Sequence, residues 1–167
     1  LTGELDCRVY ARNFGVETVV LRYFNVFGPR QDPTSQYAAV IPRFVTAALT
    51  GSQPVIFGDG TQSRDFCFID NVMEANLRAA SVAADKVSGR VFNIACGEAT
   101  SLNDVVKMIG SLTGRSLTPR YDPSRGGDVK HSLADISEAT SRLGYSAAVD
   151  FAEGLRRTVD WFRTRVS

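Results

Sequence analysis

The 167-residue chain has one histidine, one tryptophan, two methionines and no surplus of charge, and each scarcity removes a class of function. Lys and Arg total 19 against 18 for Asp and Glu. A net charge near +1 creates no general field to draw nucleic acid or an anionic membrane, so any basic site has to be local. The three cysteines, Cys7, Cys67 and Cys96, are far apart and lack metal-ligand spacing. Their pattern fits buried thiols in a reducing cytoplasm and predicts no metal site. No apolar run approaches the ~20 residues that span a bilayer, and the first residues lack the plan of a signal peptide. The expectation is a soluble, cytoplasmic chain with neither nucleic acid nor membrane as partner. What it does have is 44% hydrophobic and 22% charged residues, enough to bury a real core.

Helix and strand signals alternate along the chain, the mark of an α/β fold. In "LTGELDCRVYARNFG", Leu1, Leu5 and Val9 share one helical face, and Gly15 is a stop. No cap precedes Leu1, so the chain is expected to begin inside a helix, as a fragment would. From Val16 an apolar run rich in β-branched residues reads as a buried strand ending at Asn25, before Gly28-Pro29-Arg30. Helices are predicted from about Pro42 to Gly51, from an Asp70 cap through "NVMEANLRAASVAA", and from a Ser101 cap over Leu102 to Thr113. "PVIFGDGTQSRDFCFID" reads as a hairpin or paired strands around Gly58-Asp59-Gly60, and "VFNIA" as another buried strand. "LTPRYDPSRGGDVKHSLAD" is loop-rich, Asp135 opens a short helix closing near Gly144, and a last helix carries Leu155, Val159 and Phe162 in one stripe. A glycine-rich strand-to-helix turn is missing near the start, which excludes a lone dinucleotide-binding domain.

Three loops pair a planar hydrogen-bonding side chain with backbone-shaping Gly or Pro: Asn25, Arg64 after Gly58-Asp59-Gly60, and Arg125-Gly126-Gly127-Asp128. Two guanidinium groups can grip a diphosphate with charge-assisted hydrogen bonds, an Asn amide can donate to phosphate, and Asp128 can accept from sugar hydroxyls. Plainer readings stand beside these. Arg64 and Asp65 can form a surface ion pair of under about 1 kcal/mol, Arg125 can be solvated, and His131 can be a satisfied loop side chain. Phe57 is either core or an aromatic platform for a base.

"LRYFNVFGPRQDP", "GDGTQSRDFCFIDNV", "VFNIACGE" and "SRGGDVKHSLADISEA" resemble, in order and spacing, the C-terminal half of the extended short-chain dehydrogenase/reductase family of nucleotide-sugar epimerases and dehydratases. The likeness is greatest to the UDP-N-acetylglucosamine and UDP-glucose 4-epimerases. It implies the C-terminal portion of a Rossmann-type NAD-binding fold plus a small α/β substrate domain. Residues 1–36 would close the NAD-binding domain, 37–167 would form the substrate domain, and 91–96 would return a strand to the Rossmann sheet. The resemblance places Tyr23 and Phe24 at the NAD cofactor and Asn25 on the phosphate of a UDP-sugar. It puts Ala39, Val40 and Phe57 at the uracil, Arg64 and Arg125 on the diphosphate, Asp128 on the ribose, and Asn93 on the substrate. The small Ser132 leaves room for an N-acetyl group. No catalytic residue lies in the chain, because the family's Tyr-x-x-x-Lys pair is expected upstream of Leu1. The family's usual homodimer would use the helix that bears Leu1, Leu5 and Val9. Dehydratases, decarboxylases and a non-catalytic nucleotide-sugar binder remain the alternatives.

Overall fold

The computed structural model describes residues 1–34 and 40–165. Helix α1, Thr2–Phe14, ends where Gly15 turns left-handed (φ 67°) and returns its N–H to the Tyr10 carbonyl. Strand β1 is Val19–Tyr23. A bidentate Arg22–Glu4 pair (2.7 and 2.6 Å) and a bond from Thr18 to the Cys7 carbonyl (2.9 Å) tie the helix to it. None of the α1 residues is buried.

The run from Val16 to Asn25 is not one strand. Phe24 still donates to the Ile94 carbonyl (3.1 Å), but Asn25 has φ 27° and swings the chain away. Val26–Phe27, strand β2, then pairs elsewhere. Asn25 is therefore the pivot at which the backbone leaves one sheet for another.

After α2 (Val40–Thr50) come three short strands: β3 (Val55–Phe57), β4 (Ser63–Arg64) and β5 (Cys67–Phe68). Next follow α3 (Ile69–Ser81), α4 (Ala84–Val87), β6 (Arg90–Ile94) and β7 (Thr100–Ser101). The chain closes with α5 (Leu102–Thr113), β8 (Arg120–Asp122), β9 (His131–Ser132), a π-helical turn at Ala139–Leu143 and α6 (Phe151–Arg163). β1 runs parallel to β6, β2 to β5, and β3 to β8. β4 lies between antiparallel β7 and parallel β9.

The expected hairpin around Gly58-Asp59-Gly60 is thus absent among the described residues. The loop's polar groups are satisfied locally: Gln62 donates to the Phe57 carbonyl (2.6 Å) and Asp59 accepts from the Thr61 N–H (2.9 Å). The loop then docks on the start of α5, where Leu102 and Asn103 donate to the carbonyls of Gln62 and Gly60. Gly60 is required there, since a Cβ would lie 2.0 Å from the Asn103 Oδ1 and φ is +76°. Two strands, β8 and β9, hide in the loop-rich stretch because three and two polar residues carry no alternation to read. Asp70 is not a cap: α3 starts at Ile69, and Asp70 sits in its first turn, paired with Arg157 at 3.1 Å.

The Ser101 cap is confirmed, its Oγ accepting from the Asp104 N–H at 3.1 Å. Asp135 likewise accepts from Ser137 (2.9 Å) ahead of the π-helical turn that ends at Gly144. One core joins α2, α5 and α6 through Ile41, Phe44, Val45, Val105, Ile109 and Leu155, with Phe27 beneath. A second joins the β1–β6 pair to α3 through Val72, Ala75, Phe92 and Ile94, closed by Leu143 and Tyr145. Ile69 packs on both.

Candidate functional site

A cavity of about 250 Å3 is bounded by Asn25, Arg64 and Arg125 together, with Gln62 and Asp128 completing its polar rim and the Phe57 ring beside them. Val40, Phe44, Val55, Phe66 and Leu102 form its apolar wall. Three segments remote in sequence thus converge on one cleft. Ala39 lies outside the described residues.

Each member is held by its own element. The Asn25 amide donates to the Asp65 carbonyl (3.0 Å) and its carbonyl accepts from Cys67 (3.3 Å), which locks the left-handed backbone in place. Arg64 and Asp65 do not pair. Successive side chains of an extended segment face opposite ways, so Arg64 points to the cleft while Asp65 is fully buried. Asp65 accepts three backbone N–H bonds, from Cys96 (2.9 Å), Gly97 (3.0 Å) and Ala134 (3.3 Å). The buried carboxylate joins β4–β5 to the exit of β6 and to the segment after β9. Its cost of burial is offset by those donors.

The Arg64 guanidinium donates from one edge to the carbonyls of Ser63 (2.9 Å) and Lys130 (3.3 Å), and from the other to Asp128. Arg125 stacks on Phe57, its Cζ 3.8 Å from the ring centre. Phe57 is half-buried and lines the cleft, with the Arg125 guanidinium over its ring. Ser132 is the register partner of Arg64 across β4 and β9, so the two side chains leave the same face of that sheet. It does not line the cavity. Asn93 is also elsewhere: its amide supports the Asp135 carbonyl at 3.0 Å. His131 Nδ1 meets the Ser63 hydroxyl at 3.0 Å, a satisfied loop side chain.

The neighbouring Cys67 thiol, together with burial, pushes Cys96 up. Burial pushes the Tyr145 hydroxyl up as well, and it donates to the Ala95 carbonyl at 2.8 Å. The Cys96 thiol and the Tyr145 hydroxyl stay protonated and serve as packing.

This arrangement can be set against known proteins. The family described as NAD dependent epimerase/dehydratase matches residues 1–95. The chain belongs to that family. It is 38% identical over 161 residues to a putative UDP-glucose 4-epimerase of Methanocaldococcus jannaschii, covering 96% of this chain and 50% of that protein. The structure of the UDP-glucose 4-epimerase of Thermotoga maritima with UDP-glucose superposes with a TM-score of 0.93 and 38% identity, over 99% of this chain and 52% of that one. The UDP-N-acetylglucosamine 4-epimerase of Methanobrevibacter ruminantium, in complex with UDP-N-acetylmuramic acid, superposes with a TM-score of 0.89 and 41% identity, over 98% and 52%. The chain therefore spans about half the length of the relatives it matches. A UDP-N-acetyl-alpha-D-glucosaminuronate decarboxylase and a dTDP-glucose 4,6-dehydratase are relatives at 31% and 29% identity.

The epimerase/dehydratase family is NAD-dependent, and the residues present fit the cofactor at one edge only. Phe24 stands at the carboxyl end of the parallel β1–β6 pair, where such sheets bind ligands. Tyr23 faces a groove toward α3, its hydroxyl 3.0 Å from the Asn76 Oδ1. The described residues include no glycine-rich turn for the dinucleotide pyrophosphate. Two cleft residues escaped sequence reasoning. Arg43, a third guanidinium, follows Val40 at a helical i+3 spacing that does signal a shared side. Gln62, buried at 8% exposure, looks in sequence like one more polar loop residue.

Proposed function

We propose that this chain is the substrate-binding half of a UDP-sugar 4-epimerase that works through NAD-dependent hydride transfer. The carrying observation is the convergence of Asn25, Arg64 and Arg125 on one cleft beside Phe57. Two guanidiniums and a carboxamide answer the charge and geometry of a diphosphate, and an apolar wall with an aromatic ring answers a flat base. Val40 and Phe57 take the uracil, Arg64 and Arg125 the diphosphate, Asp128 the ribose, and Asn25 a phosphate oxygen. Phe24 would border NAD, which when bound would supply a hydride acceptor and donor for the sugar's C4. The general base is a Tyr-x-x-x-Lys pair outside this chain, so residues 1–167 bind without turning over. Residues 1–36 with 91–96 belong to the NAD-binding layer and the rest to the substrate domain.

Ser132, beside Arg64 in register, is the reading's handle on the sugar. A small side chain there admits an N-acetyl group, which favours UDP-N-acetylglucosamine and its galacto epimer. The test is turnover of acetylated and plain UDP-hexoses by the full-length protein, before and after Ser132→Tyr. We expect the wild type to epimerise both and the variant to lose acetylated turnover by about tenfold or more, the scale of an overpacked pocket. Retained acetylated turnover in the variant would remove the gate. Failure of the wild type to bind UDP would remove the whole reading. A dehydratase or decarboxylase would instead release water or carbon dioxide, visible by mass spectrometry of the product.

A further inference from the structure

Arg64 is held by the protein's own groups. Its side chain is 16% exposed, and two carbonyls hold one edge of the guanidinium. The other terminal nitrogen, Nη2, donates to the Asp128 carboxylate, and both residues line the cleft. Asp128 itself is 45% exposed and ends a tight turn, its N–H on the Arg125 carbonyl at 3.3 Å. Gly127 supplies the positive φ of 82°, and a Cβ on either Gly126 or Gly127 would meet nothing within 4 Å. The turn is free on its outer side. Its two ends place a carboxylate on Arg64 and a guanidinium on Phe57. The cleft thus carries two internal pairs, an anion on Arg64 and a flat cation on Phe57.

An anion that takes the Arg64 Nη2 from Asp128 then meets the displaced carboxylate with like charge. A bare phosphate or pyrophosphate offers that carboxylate nothing. A nucleoside diphosphate brings a ribose diol within reach of its own phosphates, and the two hydroxyls can donate to the carboxylate as it leaves Arg64. We propose that Asp128 is a selectivity residue, a built-in competitor for Arg64 that rejects inorganic phosphates and yields to ligands carrying both a diphosphate and an adjacent diol. This inference rests on the nucleotide-sugar reading and adds to it a reason for the ion pair between Arg64 and Asp128.

The experiment is isothermal titration of the full-length protein with UDP and, separately, with inorganic pyrophosphate, for the wild type, Asp128→Asn and Asp128→Ser. Melting curves verify that the variants fold, as expected for an exposed turn. Both variants are expected to bind pyrophosphate about fivefold more tightly, the scale of one lost ion pair. They are expected to bind UDP about tenfold more weakly, the scale of lost charge-assisted hydrogen bonds. The two effects shift the UDP-to-pyrophosphate preference in one direction. Pyrophosphate affinity that is unchanged or reduced in both variants overturns the proposal, whatever UDP does. A wild type that binds no UDP overturns the nucleotide-sugar reading instead, and the pyrophosphate arm still reports whether Asp128 competes for Arg64.

Discussion

Asp65 has no contact with the cleft and yet decides its shape. Its carboxylate accepts from Cys96, Gly97 and Ala134, and its own carbonyl receives the Asn25 amide. Through one residue the pivot, the exit of β6 and the segment after β9 are fixed relative to Arg64. In Asp65→Ala three backbone donors lose their acceptor, each at a cost of roughly 1 kcal/mol or more. We expect a loss of about 2–4 kcal/mol on that basis, measured by urea unfolding, with a smaller loss in Asp65→Asn, which keeps one acceptor oxygen. An Asp65→Ala protein of unchanged stability would show that the three bonds are replaceable by water. In sequence, Arg64 and Asp65 read equally well as a surface pair. Only the alternation of an extended segment between core and cleft separates their roles.

The helices show how far local chemistry carries. α5 was readable from Ser101 to Gly114, because cap, apolar spacing and stop residue agree. α6 adds an N-cap bond from the Glu153 N–H to Asp150 (2.8 Å), and the Glu153 carboxylate pairs with Arg156 and Arg157 in the next turn. Hydrogen bonds from Arg156 and Arg157 hold its carboxyl down, to about 2 from an ordinary 4.5. Because the folded value lies below the unfolded one, this contribution is complete above about pH 4.5 and disappears as the pH falls toward about 2. Glu153 is solvent-facing, so the effect is modest and salt-sensitive. Melting temperatures across that window are expected to fall more steeply for the wild type than for Glu153→Gln, and parallel curves would contradict it. The short strands are the converse case. β4, β5, β7 and β9 are two residues each, and their pairing partners come from distant segments, so no local pattern announces them.

At the scale of the molecule, one side is unfinished. Among the described residues β1 pairs with β6 alone, and Leu1, Leu5, Val9, Tyr10 and Phe14 of the first helix are exposed. An apolar face beside an open strand edge is a surface that proteins normally cover. For Leu5 and Val9 we expect the cover to be a second copy of the chain. Leu5→Lys combined with Val9→Lys should then convert the full-length protein from dimer to monomer in sedimentation velocity. A doubly substituted protein that stays dimeric would assign this face to the interior of one subunit. No helix among the described residues is long and apolar enough to cross a membrane.

By itself the sequence determined the α/β class, the family, the span of the capped helices and, among the cleft's polar groups, Asn25, Arg64, Arg125 and Asp128 but not Arg43 or Gln62. Those properties rest on residue type and near-neighbour spacing, which a linear chain displays. Which strands pair, that the backbone pivots at Asn25, that Asp65 turns inward and that Asp128 rests on Arg64 were decided by the tertiary structure alone. Each is a long-range match between groups remote in sequence, and their partners are chosen by the burial and hydrogen-bond demands of the whole fold rather than by any local preference.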